Sequence, residues 1–248
     1  MDNVRLFLLL LTVSVGGLHA QGEWNYDGRF LDGNGRHALV ARSTNPDQWK
    51  GEDYFRSDLL LLNVKNGREV LVAGSPSFYW GALFTDAKHF IYTEGNHVYK
   101  RHVRAGAKPQ RLYTLRDTTQ MMFLDMVRYG EEVYLVIADY SVKKLENPRW
   151  PEDDDSYSSR MRIVELYTGT EIATFSFPYT GSPRYRCHQR EDGWMFSVMD
   201  TLFVMDTPRH LQHAVSLFPT AAPAAFENEC YSVRTDAAQP KRIRIISK

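Results

Sequence analysis

Two stretches of this 248-residue chain gather side chains able to do chemistry. Ser43–Arg56 carries Asp47, Trp49, Glu52, Asp53, Tyr54 and Phe55. Ser141–Ser159 carries Trp150, Glu152, Asp153, Asp154, Asp155 and Tyr157. Carboxylates beside aromatic rings suit two kinds of work. Facing acid pairs hydrolyse glycosides, for which Asp53, Asp125 and Asp153–Asp155 are the candidates. Exposed Trp and Tyr make the large amphipathic contacts of binding hot spots. The run Glu152-Asp153-Asp154-Asp155 has hard-cation chemistry, with Asp153 and Asp155 as the residues that would hold a metal. It lacks the Asp-x-Asp-x-Asp-Gly order and closing Glu of a calcium loop, so it reads as a solvated acidic loop and no metal is expected. The histidines at 37, 89, 97, 102, 188, 210 and 213 are scattered without an H-E-x-x-H pair. No G-x-S-x-G, G-x-G-x-x-G or P-loop occurs, so neither a catalytic residue nor a cofactor is assigned.

The elements that must position these loops read as strands. Alternating, β-branched and aromatic runs follow one another after residue 23, and no helical period persists. They fall into groups of four. The first is Trp24–Leu31, His37–Arg42, Ser57–Val64 and Glu69–Ala73. The second is Phe78–Thr85, His89–Thr93, His97–Val103 and Gln110–Leu115. The third is Met121–Arg128, Glu132–Tyr140, Arg160–Leu166 and Glu171–Phe177. The fourth is Arg184–Arg190, Trp194–Met199, Thr201–Met205 and His213–Phe218. Glu227–Arg234 and Arg242–Ile246 remain. Asn66-Gly67 and Thr168-Gly169 sit at matching hairpins, where glycine supplies positive φ. The match extends further. Leu62-Asn63-Val64-Lys65-Asn66-Gly67-Arg68-Glu69-Val70 aligns with Val164-Glu165-Leu166-Tyr167-Thr168-Gly169-Thr170-Glu171-Ile172, apolar on apolar and Gly on Gly. Such self-similarity marks a repeat architecture.

The segments Gly33-Asn34-Gly35-Arg36-His37-Ala38-Leu39-Val40 and Ser57-Asp58-Leu59-Leu60-Leu61-Leu62-Asn63-Val64-Lys65-Asn66-Gly67, with the copy Thr85-Asp86-Ala87-Lys88-His89-Phe90-Ile91-Tyr92, resemble the WD40-like repeats of TolB-type β-propellers. The resemblance implies an all-β, small β-propeller-like array of four-stranded antiparallel blades. Four blades are followed by a terminal hairpin or by a partial fifth blade, either truncated or completed by an N-terminal segment, with an open β-sandwich as the alternative. In such a scaffold both long loops share one face with the blade junctions that carry Tyr79, Trp80, Tyr185 and Arg186. The expected partner-binding set is therefore Trp49, Asp53, Tyr54, Tyr79, Trp80, Trp150, Tyr157, Tyr185 and Arg186. The opposing possibility is that the tryptophans pin their own loops.

Arg5, the apolar run Leu6–Val15 and the small-residue end at Ala20 have the order of a secretory signal peptide. The run is shorter than the roughly 20 residues a bilayer span takes. Residues 1–20 are thus expected to be removed, leaving 21–248 as one secreted or periplasmic domain with no integral membrane segment. In an exported chain the two cysteines, Cys187 and Cys230, read as one disulfide. Lys+Arg and Asp+Glu are both 30, which gives no basic stripe for nucleic acid. A protein or peptide partner is expected, with inhibitor, immunity or envelope-assembly roles as examples. The alternative is a secreted glycan-acting hydrolase or lectin using the acidic and aromatic loop residues.

Overall fold

A computed structural model describes residues 22–44, 57–75, 80–116, 121–144, 155–179, 185–190, 193–198, 201–207, 210–213, 226–235 and 242–248, with side chains only in part from 121 to 213. The expected signal peptide lies outside them. Among the described residues every regular element is a strand, and no helix is long and apolar enough to cross a membrane.

Nineteen strands form the described architecture. They are β1 (Glu23–Gly33), β2 (His37–Ser43), β3 (Ser57–Asn63), β4 (Arg68–Ser75), β5 (Ala82–Phe84), β6 (His89–Glu94), β7 (His97–His102), β8 (Gln110–Thr114), β9 (Met121–Tyr129) and β10 (Glu132–Lys144), followed by β11 (Asp155–Glu165), β12 (Glu171–Tyr179), β13 (Tyr185–Arg190), β14 (Gly193–Val198), β15 (Thr201–Thr207), β16 (His210–His213), β17 (Phe226–Glu227), β18 (Tyr231–Thr235) and β19 (Arg242–Ser247). Strands β5–β8, β9–β12 and β13–β16 each make a four-stranded sheet. The others form a seven-stranded sheet in the order β17-β18-β19-β1-β2-β3-β4. All pairings are antiparallel.

Strand β1 joins the two ends of the chain. Its first half, Glu23–Asp27, pairs with β19, and its second half, Gly28–Gly33, pairs with β2. The terminal strands are therefore not a trailing hairpin. With the first half of β1 they make a fifth four-stranded unit. The change of partner falls at Gly28, where a Cβ would lie 1.9 Å from the Ala41 carbonyl oxygen.

The strand groups stack face to face, which explains their composition. Ala38-Leu39-Val40-Ala41 and Leu59-Leu60-Leu61-Leu62 are continuous apolar runs, the pattern of strands covered on both faces. Ala38, Val40, Leu60 and Leu62 pack against Tyr231, Val233, Ile243 and Ile245 of the terminal strands. Leu39, Ala41, Leu59 and Leu61 point the other way, onto Phe84, Phe90 and Tyr92. Leu83 and Ile91 then meet Val133, Leu135 and Ile137 of β10. On the opposite side of β10, Tyr134, Val136 and Ala138 are also buried.

Turn chemistry repeats with the sheets. Asn63 and Glu165 begin equivalent turns, with Gly67 N–H donating to the Asn63 carbonyl at 2.9 Å and Gly169 N–H to that of Glu165 at 2.9 Å. Their φ angles are 68° and 69°, a region that favours glycine. Burial pushes the Glu165 carboxyl up, but donors from Thr168 and Tyr167 outweigh it and hold it below the usual range.

A second turn recurs where the first strand of a unit meets the second. Asn34 accepts from the Arg36 and His37 amides, Asp86 from Lys88 and His89, and Asn228 from Cys230 and Tyr231. Each is an Asx turn, in which a short side chain stands in for a backbone acceptor. Neighbouring turns are also linked. The Asn228 amide donates to the Asn34 carbonyl at 3.0 Å, and the Asn34 amide to that of Ala87 at 3.4 Å.

The third of these turns corrects two expectations. Glu227–Arg234 is not one strand, because Asn228 splits it into β17 and β18. The expected Cys187–Cys230 disulfide is not formed, since the turn holds Cys230 at its tip with an exposed, free thiol.

Candidate functional site

Two regions of the described residues concentrate polar chemistry. The first lies where β1 and β5 end. Asp32 accepts from its neighbour Gly33 N–H at 2.8 Å and from Phe84 N–H at 2.7 Å, tying β1 to β5. Burial raises its carboxyl above the ordinary range, against the pull of those two amides and of Arg128. Tyr231 is fully buried beside it and donates its hydroxyl to the His37 carbonyl at 2.7 Å. Burial, with the Asp32 charge nearby, raises the Tyr231 phenol. Burial also lowers His37, whose Nδ1 is buried with no partner among the described residues. The cluster has the residue types of an acid–base site, but both Asp32 oxygens are engaged by backbone amides and the Tyr231 hydroxyl by a carbonyl. Its groups join sheets.

Two results follow for this cluster. Tyr231→Phe leaves the ring in place and removes one buried hydrogen bond, so a loss of about 1–2 kcal/mol is expected in urea unfolding. For Asp32, a raised folded-state pKa means that folding favours the protonated form. Its contribution is greatest below the unfolded-state value and declines as pH rises through the folded-state value. Asp32→Asn is therefore expected to cost less stability at neutral pH than in acid, read as the difference between wild-type and variant unfolding free energies at each pH. A cost that grows toward neutral pH would contradict the burial assigned to Asp32.

The second region is the outward face of β18, β19 and the first half of β1. Alternation sends Ile243 and Ile245 into the core and Arg242 and Arg244 to solvent. Across the strands, Arg234 stands opposite Arg244, Arg244 opposite Asn25, and Arg242 opposite Asp27. Arg242 Nε reaches Asp27 at 3.3 Å and Arg244 Nε reaches Glu23 at 3.2 Å. Two open clefts of about 360 and 310 Å3 share Asn25, Arg242 and Arg244. Tyr26 and Asp27 complete the first, and Arg234, Thr235 and Ile246 the second.

The residues expected to bind a partner fare differently. Trp80 is 1% exposed, inside the core between β3 and β6, and its indole donates to Ser57 Oγ at 2.6 Å. Its carbonyl accepts from Arg29 at 3.1 Å. Trp80 is therefore a packing residue and not part of an exposed contact face. Asp155 and Tyr157 are strand residues rather than loop residues, because the β10–β11 hairpin runs on until Lys144 pairs with Asp155 and Val142 with Tyr157. Tyr185, Arg186 and Cys187 lie on β13, where only the backbone is described. Trp49, Asp53, Tyr54, Tyr79, Trp150 and Asp153 lie outside the described residues. Among the described residues no group of three metal-ligating side chains occurs.

The arginine face was not among the expected sites. Its signal in the sequence is the alternation Arg242-Ile243-Arg244-Ile245, which places two arginines on one side of a strand. The partner strand that brings Arg234 alongside is set by tertiary pairing.

No protein-family model matches the chain, and no curated protein does. Among solved structures, an acylaminoacyl peptidase from Pyrococcus horikoshii is 7% identical, with a TM-score of 0.41 over 85% of this chain and 35% of that one. An oligogalacturonate lyase in complex with manganese is 8% identical, with a TM-score of 0.43 over 90% and 65%. The oligogalacturonate lyase of Vibrio parahaemolyticus is 11% identical, with a TM-score of 0.40 over 86% and 71%. The chain thus spans about a third of the peptidase it matches. At such similarity these likenesses carry no inference about activity here.

Proposed function

We propose that the chain is an exported, non-enzymatic protein- or peptide-binding protein on a small β-propeller-like scaffold. Five four-stranded units with recurring turns support the scaffold reading, in which each unit is a blade and the first half of β1 completes the last. The observation that carries the binding reading is the second region above, a charged, open face with two clefts on an antiparallel sheet. The carboxylates nearest the core are used structurally, as Asp32, Asp58 and Glu165 illustrate through their bonds to backbone amides or arginine. Trp49 and Trp150 remain the proposed anchors of the long-loop face.

The test is capture of a partner by the immobilised full chain from an extract of the extracytoplasmic compartment, followed by identification and titration of the purified partner. A saturable protein partner at fixed stoichiometry is the expected result. Failure of any protein to titrate, together with binding or cleavage of a defined oligosaccharide, would contradict the proposal and favour a glycan-acting protein.

A further inference from the structure

We infer that the outward face of β18, β19 and the first half of β1 binds an acidic peptide segment in extended conformation. This rests on the binding reading above and gives it a surface and a partner chemistry.

One cross-strand pairing on this face is unfavourable by itself. Arg234 and Arg244 face each other directly across β18 and β19. Like charges at directly opposed positions repel. The neighbouring acids relieve this only in part. Glu23 and Asp27 each engage a single nitrogen, the Nε of Arg244 and of Arg242. The terminal nitrogens of both guanidinium groups have no partner within bonding distance among the described residues, and the Arg234 side chain makes no hydrogen bond to them. A guanidinium fork offers two parallel N–H donors to one carboxylate, so each of these forks is a bidentate donor site for an incoming acid.

Spacing selects the shape of that acid. Arg242 and Arg244 are two residues apart on one strand, so their side chains emerge about 7 Å apart. An extended peptide carries same-side residues at this same repeat of about 7 Å, so acids at alternate positions would meet Arg242 and Arg244 together. Arg234, one strand away, adds a third positive group about 5 Å to the side. Asn25 supplies an amide in the same row, and Ile246 an apolar contact in the second cleft. Both clefts are open and spread over adjoining strands, which suits a segment lying across a surface better than a small enclosed anion.

The experiment uses the full chain and a labelled peptide alternating Glu and Ser, with inorganic pyrophosphate and phosphatidylserine vesicles as comparison probes. Fluorescence anisotropy should show binding that weakens as salt rises. Arg234→Ala/Arg244→Ala should weaken it by about tenfold or more, with the far-ultraviolet dichroism unchanged. Should the double variant misfold, Arg234→Ala alone serves, because that exposed side chain makes no hydrogen bond or ion pair among the described residues, and a loss of severalfold is expected. Unchanged affinity in the variant that folds would overturn the inference. So would stronger binding of pyrophosphate or of vesicles than of the peptide. Absence of peptide binding by the wild type would overturn it too. Those results leave the capture experiment above to decide separately whether a protein partner docks elsewhere.

Discussion

Trp80→Ala is expected to destabilise the chain by about 3–5 kcal/mol, the range for emptying a buried aromatic site. The ring is 1% exposed and packs with Leu59, Leu61, Phe84 and Phe90 between two sheets. Truncation would open a cavity at the junction and delete the bond to Ser57 Oγ. Trp80→Phe keeps most of the filling and loses the indole donor, so it should cost about 1–2 kcal/mol. The graded pair distinguishes packing from recognition. A packing residue lowers the urea midpoint in this order and leaves the affinity of the folded protein for its partner unchanged. Loss of affinity at full stability would return Trp80 to the contact face.

Gly28→Ala is expected to be nearly as damaging, at about 3 kcal/mol. A Cβ there would sit 1.9 Å from the Ala41 carbonyl oxygen and 3.0 Å from Arg42 Cα. Both are backbone atoms of β2, so no side-chain rotation relieves the overlap. The strand would have to withdraw at the point where β1 changes partner from β19 to β2. Hydrogen exchange read alongside urea unfolding should show protection falling first in Glu23–Gly33 and in the terminal strands. A uniform loss across β5–β12 instead would mean that β1 is not the joint between the ends.

Much of the repeat was legible because local chemistry dictates it. Gly67 and Gly169 need positive φ, and Asn63 and Glu165 supply acceptors at the same turn position, so the matched nonapeptides fold alike. Asn34 and Asp86 mark Asx turns for the same reason. Asn228 is the third member of that set, yet its surroundings read as one continuous strand, because Tyr231 and Val233 alternate with Ser232 and Arg234 and the turn before them is ignored. Long-range pairing was not legible. The alternation in β1 and β19 says that each is a strand with one buried face, and it says nothing about which strand lies beside it. Trp80 shows the same limit for the site. Its position at a junction was readable, whereas the side on which its ring lands is decided by how the sheet of β3 packs against that of β6. The arginine face depends on both: alternation placed Arg242 and Arg244 on one side, and the pairing of β18 with β19 brought Arg234 to them.

The union of the first strand with the last therefore underlies both the five-unit fold and the arginine face. It is tested most directly by a cross-strand disulfide between Asn25→Cys and Arg244→Cys, in a background where Cys187 and Cys230 are serine. Residues directly opposed on antiparallel strands have Cα atoms about 4.5–5.5 Å apart, within reach of a disulfide. Closing so long a loop should raise stability by about 5 kcal/mol in the chain-entropy account, less any strain. The register observed, Asn25 opposite Arg244, predicts rapid and complete oxidation of this pair and little or none of the offset pair Asn25→Cys/Ile246→Cys. Failure of the Asn25–Arg244 pair to close in the folded protein, or preferential closure of the offset pair, would contradict the account.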